Sequence, residues 1–160
     1  MINEEITDQF LILNIGPHNF AVNVYNIQDV IRQRATTPVP LSKDNINGLM
    51  NLRGHIVTEI NVAHSMKIIE HEVQKDGFAV VTMIEDEFYS LLFGGIGDVI
   101  EIKPEQIDPL PETIQKSWHQ VSAGVHQLSD RLLVILDLKT LVDIFVKNPD
   151  TSKPVAKEVI

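Results

Sequence analysis

Side chains able to do chemistry are present in this 160-residue chain, but not in the arrangements that reactions need. Three successive acids, Glu85-Asp86-Glu87, could supply a general acid and base. They fall between two β-prone runs, Phe78 to Ile84 and Phe88 to Phe93, which makes them a solvated hairpin tip. Six histidines include the pairs His64/His71 and His119/His126, whose spacing is not the i,i+4 of a helical metal site and which no carboxylate cluster accompanies. Gly95-x-Gly97 lacks the third glycine and the following helix of a dinucleotide fingerprint, and there is neither a Gly-x-Ser-x-Gly elbow nor a Gly-Lys-Ser/Thr loop. With no cysteine there is no thiolate nucleophile, thiolate zinc site or disulfide framework. No catalytic residue, cofactor site or metal site is therefore assigned. What stands out is one cation at a turn, Arg53 of Asn51-Leu52-Arg53-Gly54, just ahead of the apolar pair Ile56-Val57. A guanidinium can pair bidentately with a carboxylate on a partner and is a favoured interface anchor, so its chemistry is recognition.

The formal net charge of −9 and a pI near 5.0 oppose binding to nucleic acid or to anionic lipid, both of which select clustered Lys and Arg. Met1 to Asp8 holds three acids and no apolar run, unlike a secretory signal, and nowhere do about 18 apolar residues follow one another. A cytoplasmic protein is the expectation.

The elements that would position Arg53 follow from hydrophobic spacing. Phe10 to Ile15 and Phe20 to Val24 read as a hairpin about the turn Gly16-Pro17-His18-Asn19; Tyr25 to Ile31 reads as a helical turn and then a strand. Thr36 to Pro40 must be extended, Ser42 caps a short helix through Ile46, and Gly48 ends it. A strand over Ile56 to Ile60 leads to Asn61, which caps a helix over Val62 to Met66. Glu70 to Asp76 is a polar crossover. Gly94 to Gly97 marks a bulge or corner, and Lys103 to Gln120, with three prolines, is a long extended loop in which Trp118 is an anchor for a partner or for the loop itself. Leu132 to Leu136 is the last strand, and Asp137 caps a closing helix that places Leu138, Leu141, Val142 and Phe145 on one face.

Much of this grammar is written twice. Gly48-Leu49 returns as Gly124-Val125, Leu52 as Leu128, Ile56-Val57 as Leu132-Leu133 and Ile60-Asn61-Val62 as Leu136-Asp137-Leu138, all at an offset of 76. Phe20-Ala21-Val22 returns as Tyr89-Ser90-Leu91, and Ile27-x-Asp29-Val30-Ile31 as Ile96-x-Asp98-Val99-Ile100, at an offset of 69. The fold class is mainly β: two small five-stranded barrel lobes related by internal duplication, with short helices and a C-terminal helix. The first lobe is expected over about 10–69, the second over about 77–136 and the closing helix over 138–146, with flexible termini at 1–8 and 148–160. Lobes of roughly 65 residues bury too little apolar surface alone and should share an interface or exchange chain ends.

Asn51-Leu52-Arg53-Gly54 followed by Ile-Val resembles the signature of the CheW family of chemotaxis coupling proteins. The likeness extends to Gly48, Ile27-Gln28-Asp29-Val30, Gly95-x-x-Asp98-Val99, Pro104-Glu105-Gln106-Ile107-x-Pro109-x-Pro111 and Asp130-Arg131-Leu132-Leu133, and spans residues 9 to 147 at its widest. It implies two SH3-like barrels and a non-enzymatic adaptor that couples chemoreceptors to a CheA-type histidine kinase in the cytoplasm, beside membrane receptor arrays. It further implies binding to the kinase's regulatory domain, holding of the receptor's cytoplasmic tip near the groove between lobes, and assembly into rings with other CheW-like domains. Carried over residue by residue, the receptor surface comprises Arg53, Ile27 and Asp29, shaped by Gly48 and Gly54, while kinase contact falls on the second lobe.

Three positions depart from the family pattern. Asn61 replaces the usual Asp and gives up a helix-start charge worth ~0.3–1 kcal/mol; Gly94 replaces an Asp; Thr58 replaces a Pro. A CheV-type module would add an acidic phospho-acceptor receiver domain, which these 160 residues do not contain. A small barrel enzyme or ligand binder would require a pocket of convergent polar groups, and none is announced.

Overall fold

Phe10-Leu11-Ile12-Leu13 presents apolar side chains on both sides of an extended chain, which a strand tolerates only where both of its faces are covered. A computed structural model, which describes residues 8–68 and 76–147, shows how that cover is supplied. The strands are β1 (Gln9–Ile15), β2 (His18–Asn23), β3 (Asp29–Arg32), β4 (Ile46–Leu52), β5 (His55–Asn61), β6 (Phe78–Ile84), β7 (Glu87–Phe93), β8 (Gly95–Glu101), β9 (Ser122–Gln127) and β10 (Leu132–Leu136). Three short helices accompany them: α1 (Val62–Ser65), α2 (Lys116–Val121) and α3 (Leu138–Val142), the last running into a π turn at Asp143–Lys147.

The strands form two five-stranded sheets of identical plan, β3-β6-β7-β5-β4 and β8-β1-β2-β10-β9. We call the first, which carries Arg53, the first lobe. Its strands β3, β4 and β5 come from the first half of the chain, yet the hairpin at its centre, β6–β7, comes from the second. The second lobe reverses this: β8, β9 and β10 enclose the hairpin β1–β2. The expected boundary between 69 and 77 therefore does not divide the lobes, because each half donates its hairpin to the other. The physical reason is burial. Alternate residues of each donated strand face two different cores: Phe10 and Ile12 line the interior of the second lobe, while Leu11, Leu13 and Ile15 pack in a core shared by both lobes. In the other direction Phe88 and Leu92 line the first lobe, and Tyr89, Leu91 and Phe93 join the shared core.

Each sheet's edges meet at one residue pair. Thr37, beyond β3, exchanges two backbone hydrogen bonds of 2.8 and 2.9 Å with Leu49 of β4; Asp108, beyond β8, does the same with Val125 of β9 at 2.8 and 2.7 Å. The approach is so close that a Cβ on Gly48 would lie 2.4 Å from Thr37 O, and one on Gly124 would lie 2.6 Å from Asp108 O. Both glycines also have left-handed backbones, φ 148° and 143°, which favour a residue without Cβ. Gly48 thus lies inside β4, beside a bulge, and does not end a helix; residues 42–45 are irregular with a turn at 44–45, Ile46 opens β4, and Ser42 Oγ donates to Val39 O.

Other expectations meet the structure as follows. Asn61 and Asp137 cap α1 and α3, accepting from His64 N (3.0 Å) and Thr140 N (3.3 Å). Gly95 and Gly97 lie within β8, where it passes close to Asn14 and Ile12 of β1. Lys103 to Gln120 is not all extended: a 3-10 turn at Pro104–Gln106 and α2 interrupt it. Residues 70–75 of the expected crossover, and both expected flexible tails apart from Asp8, lie outside the described residues. Helix α2 forms because Trp118 must be buried: its indole fills the shared core beside Phe20, with ring centroids 5.6 Å apart, and its Nε1 donates to Met66 O at 2.9 Å. Trp118 thus fastens its own segment, drawing the second half onto α1 of the first.

Phe20 is fully buried where both lobes and Trp118 converge. Phe20→Ala should cost about 3–5 kcal/mol in urea unfolding and keep a single transition, since the core it opens belongs to both sheets. Two separated transitions would show that the lobes unfold independently.

Candidate functional site

The Arg53 corner begins as a two-residue hairpin turn. Leu52 pairs with His55 across it, and Arg53 and Gly54 between them have φ of 52° and 87°, the left-handed pair that matches the twist of the flanking strands. Asn51 Oδ1 accepts from Gly54 N at 3.1 Å, so three of the four residues of Asn-Leu-Arg-Gly build the turn and the fourth is presented by it. An arginine with φ > 0 carries backbone strain of order 1–3 kcal/mol, a cost it shares with Glu85 and Asp86 at the β6–β7 tip.

The side chain is exposed but oriented. Arg53 Nη1 donates to Asp29 Oδ2 at 2.5 Å, with the two side chains 69% and 28% exposed. Asp29 is itself fixed at the start of β3, where Oδ1 accepts from Val30 N at 2.8 Å. The Arg53 hydrogen bond holds the Asp29 carboxyl below the usual carboxylate range against an opposing desolvation, and the Val30 amide helps. β3 and β4 are the two edges of the first sheet, so this ion pair spans the seam that Thr37 and Leu49 close further along.

Beneath the pair lies a groove of about 240 Å³ lined by Gln28, Asp29, Leu52, Arg53, His55, Val57, Val81 and Phe88. His55 packs on Phe88 with ring centroids 4.5 Å apart, and Ile56 stands 61% exposed next to it. The site therefore offers one cation, one anchored carboxylate and an apolar floor. A second depression, about 470 Å³, shares Gln28 and runs between Tyr25, Met83 and the start of α3, with Tyr25 67% and Met83 44% exposed.

Of the residues singled out in the sequence, Arg53, Asp29 and Gly54 converge here. Ile27 does not line the groove; it is half-buried against the shared core. Gly48 lies further along β4, at the Thr37 crossing. His55, Val81 and Phe88 were not anticipated. His55 was readable as the neighbour of Gly54, but Phe88 reaches the groove only because β7 pairs in parallel with β5, Phe88 opposite Val57, and no local pattern announces a pairing between halves. Of the paired histidines, His119 Nε2 lies 3.1 Å from both Pro111 O and Ile114 O, and His126 Nδ1 lies 3.0 Å from Gln106 O; His71 is outside the described residues.

Comparison with known proteins agrees on one family. The model of the CheW-like domain matches residues 9–145. The chain is similar to chemotaxis protein CheW of Helicobacter pylori, 27% identical over 140 residues covering 88% of this chain and 84% of the relative. It is 26% identical to that of Klebsiella aerogenes over 144 residues (89% and 86%) and 28% identical to that of Thermotoga maritima over 135 residues (84% and 87%). Its fold matches the crystal structure of the scaffolding protein TtCheW from Thermoanaerobacter tengcongensis, with a TM-score of 0.75, 21% identity and coverage of 84% of this chain and 87% of that one.

Removing the guanidinium should release Asp29. In Arg53→Ala the Asp29 carboxyl, followed by NMR titration, should move up towards the ordinary aspartate range. A depressed carboxyl contributes stability that is present above its unfolded value and lost as pH falls through its lowered one, so the variant should lose that part of the acid dependence. The pair is exposed, so the stability lost at neutral pH should stay below about 1 kcal/mol.

Proposed function

The chain belongs to the CheW-like domain family, and from that premise we propose that it is a chemotaxis adaptor, a scaffold that couples chemoreceptors to a CheA-type histidine kinase by contact and without catalysis. The observation that carries the reading at the level of residues is the Arg53 corner: a strained, exposed arginine, aimed by Asp29 over an apolar groove. A receptor tip made of helices offers carboxylates and apolar ridges, which are complementary to this surface. Arg53 would pair with a receptor carboxylate, and Asp29 would keep the guanidinium poised and lower the entropy lost on binding. Gly54 shapes the turn, Gly48 sets the seam of the lobe behind it, and Ile27 supports the surface from the core side. We place the kinase's regulatory domain on the second lobe, which would leave both contacts free to form at once and lets rings of CheW-like domains assemble. The working location is the cytoplasm beside membrane receptor arrays; no helix among the described residues is long and apolar enough to cross a membrane.

Co-sedimentation of the kinase with receptor-bearing membranes, with and without this chain, tests the adaptor reading: recruitment of the kinase should depend on it. Arg53→Glu should fold as the wild type does and bind receptor at least about tenfold more weakly, a loss of ~1.4 kcal/mol. Kinase recruitment that ignores the chain, or undiminished receptor binding by a folded Arg53→Glu, would overturn the assignment.

A further inference from the structure

Because the two lobes share one plan, equivalent positions can be compared within the chain. In the second lobe Ile135 of β10 lies opposite Gly124 of β9 and Ala21 of β2, and Ala123 is the bulged residue. In the first lobe the same positions are Glu59 of β5, opposite Gly48 of β4 and Ser90 of β7, with Asn47 in the bulge. An apolar trio in one lobe is a polar trio in the other.

Glu59 is 1% exposed and Ser90 fully buried, and strand alternation turns both towards the interior lined by Val57 and Leu92. Asn47 Nδ2 donates to Glu59 Oε1 at 3.4 Å, whereas Glu59 Oε2 and Ser90 Oγ, on directly opposed residues, have no partner among the described residues. The other walls are apolar: Ile31 from β3, Met50 from β4, Ala79 and Val81 from β6, Leu92 from β7. The titratable groups nearest the lobe mouth are Asp29, Arg53 and His55; His55 lies roughly 13 Å back along β5 by strand rise. Among the described residues no ionised neighbour contributes to the state of Glu59: burial raises its carboxyl above the ordinary range, opposed by the Asn47 bond.

An unpaired carboxylate in such an interior is strongly disfavoured, whereas a protonated carboxyl carries no charge to desolvate; the directly opposed Ser90, its hydroxyl also without a partner among the described residues, leaves the site polar but uncharged. We infer that Glu59, with Asn47 and Ser90, is a proton-binding site in the core of the first lobe: the folded lobe keeps a proton that an exposed glutamate would release, and losing it loosens the lobe that carries Arg53.

The linkage has one sign. The stability contributed by a carboxyl raised in the folded state is complete below the ordinary glutamate value and is lost as pH rises through the raised one. Within that window the unfolding constant should rise by up to about tenfold per pH unit. The test combines side-chain carboxyl NMR of the wild-type chain with urea unfolding against pH. The unfolding series covers wild type, Glu59→Gln, and Glu59→Ile with Ser90→Ala, which copies the sister lobe and remains available should the glutamine variant not fold. The Glu59 signal should titrate above those of exposed glutamates, and the rise in unfolding with pH across that window should vanish in the variants. Titration together with the exposed glutamates, or the same pH slope in wild type and variants, would overturn the inference. These readouts report folding, so they stand apart from the adaptor reading.

Discussion

Two-sided burial of the donated hairpins is the constraint from which the rest of the structure follows. A strand such as β1 or β7 carries apolar residues at successive positions, and one lobe can cover only one of its faces. The lobes satisfy both faces by sharing a third core between them, in which Phe20, Phe93 and Trp118 meet residues of α1 and α3. At about 0.8 kcal/mol per buried methylene, filling this shared core outweighs anything the exposed ion pairs contribute. The charged groups at the surface instead tune position: Lys147 on the π turn reaches Glu85 at the β6–β7 tip at 2.7 Å, setting the end of that turn against the first lobe.

The Arg53 corner is a product of the same exchange. Its cation and turn come from β4 and β5, its carboxylate from β3, and part of its apolar floor from β7, a strand belonging to the other half of the sequence. A shared core makes that assembly stiff, since displacing Phe88 would disturb the hairpin whose opposite side, Tyr89 and Leu91, is packed between the lobes. Recognition by a preset surface loses less entropy than recognition by a mobile one, and the ion pair to Asp29 extends that presetting to a long, flexible side chain.

Strand runs, helix caps and the Arg53 turn were legible in the sequence because each is decided locally. Asn61 and Asp137 announce helix starts whatever their surroundings, and Glu85-Asp86 announces a hairpin tip. The duplication was legible too, because it is a property of order along the chain. What the sequence concealed was pairing. Nothing in Val57 or Phe88 says that they are neighbours, so order along the chain suggests consecutive lobes and leaves Phe88 outside the Arg53 site. Gly48 is illegible for a related reason: a glycine demanded by a distant carbonyl, Thr37 O, looks locally like one that stops a helix. Helix α2 was hidden by prolines upstream of it, its cause being the pull of Trp118 into a core that no local window contains.

The exchange also sets an order of events during vectorial synthesis on the ribosome. The β1–β2 hairpin is made before the other described strands, but its neighbours β8 and β10 are translated only after every strand of the first sheet, so until then it waits with apolar residues on two uncovered faces. The first lobe can close as soon as Phe93 is made, and it then offers the waiting hairpin a surface to rest on before its own sheet exists. A topology rich in such distant pairings folds slowly and is exposed to premature association, so the nascent chain is most vulnerable in the interval between its first strand and its eighth.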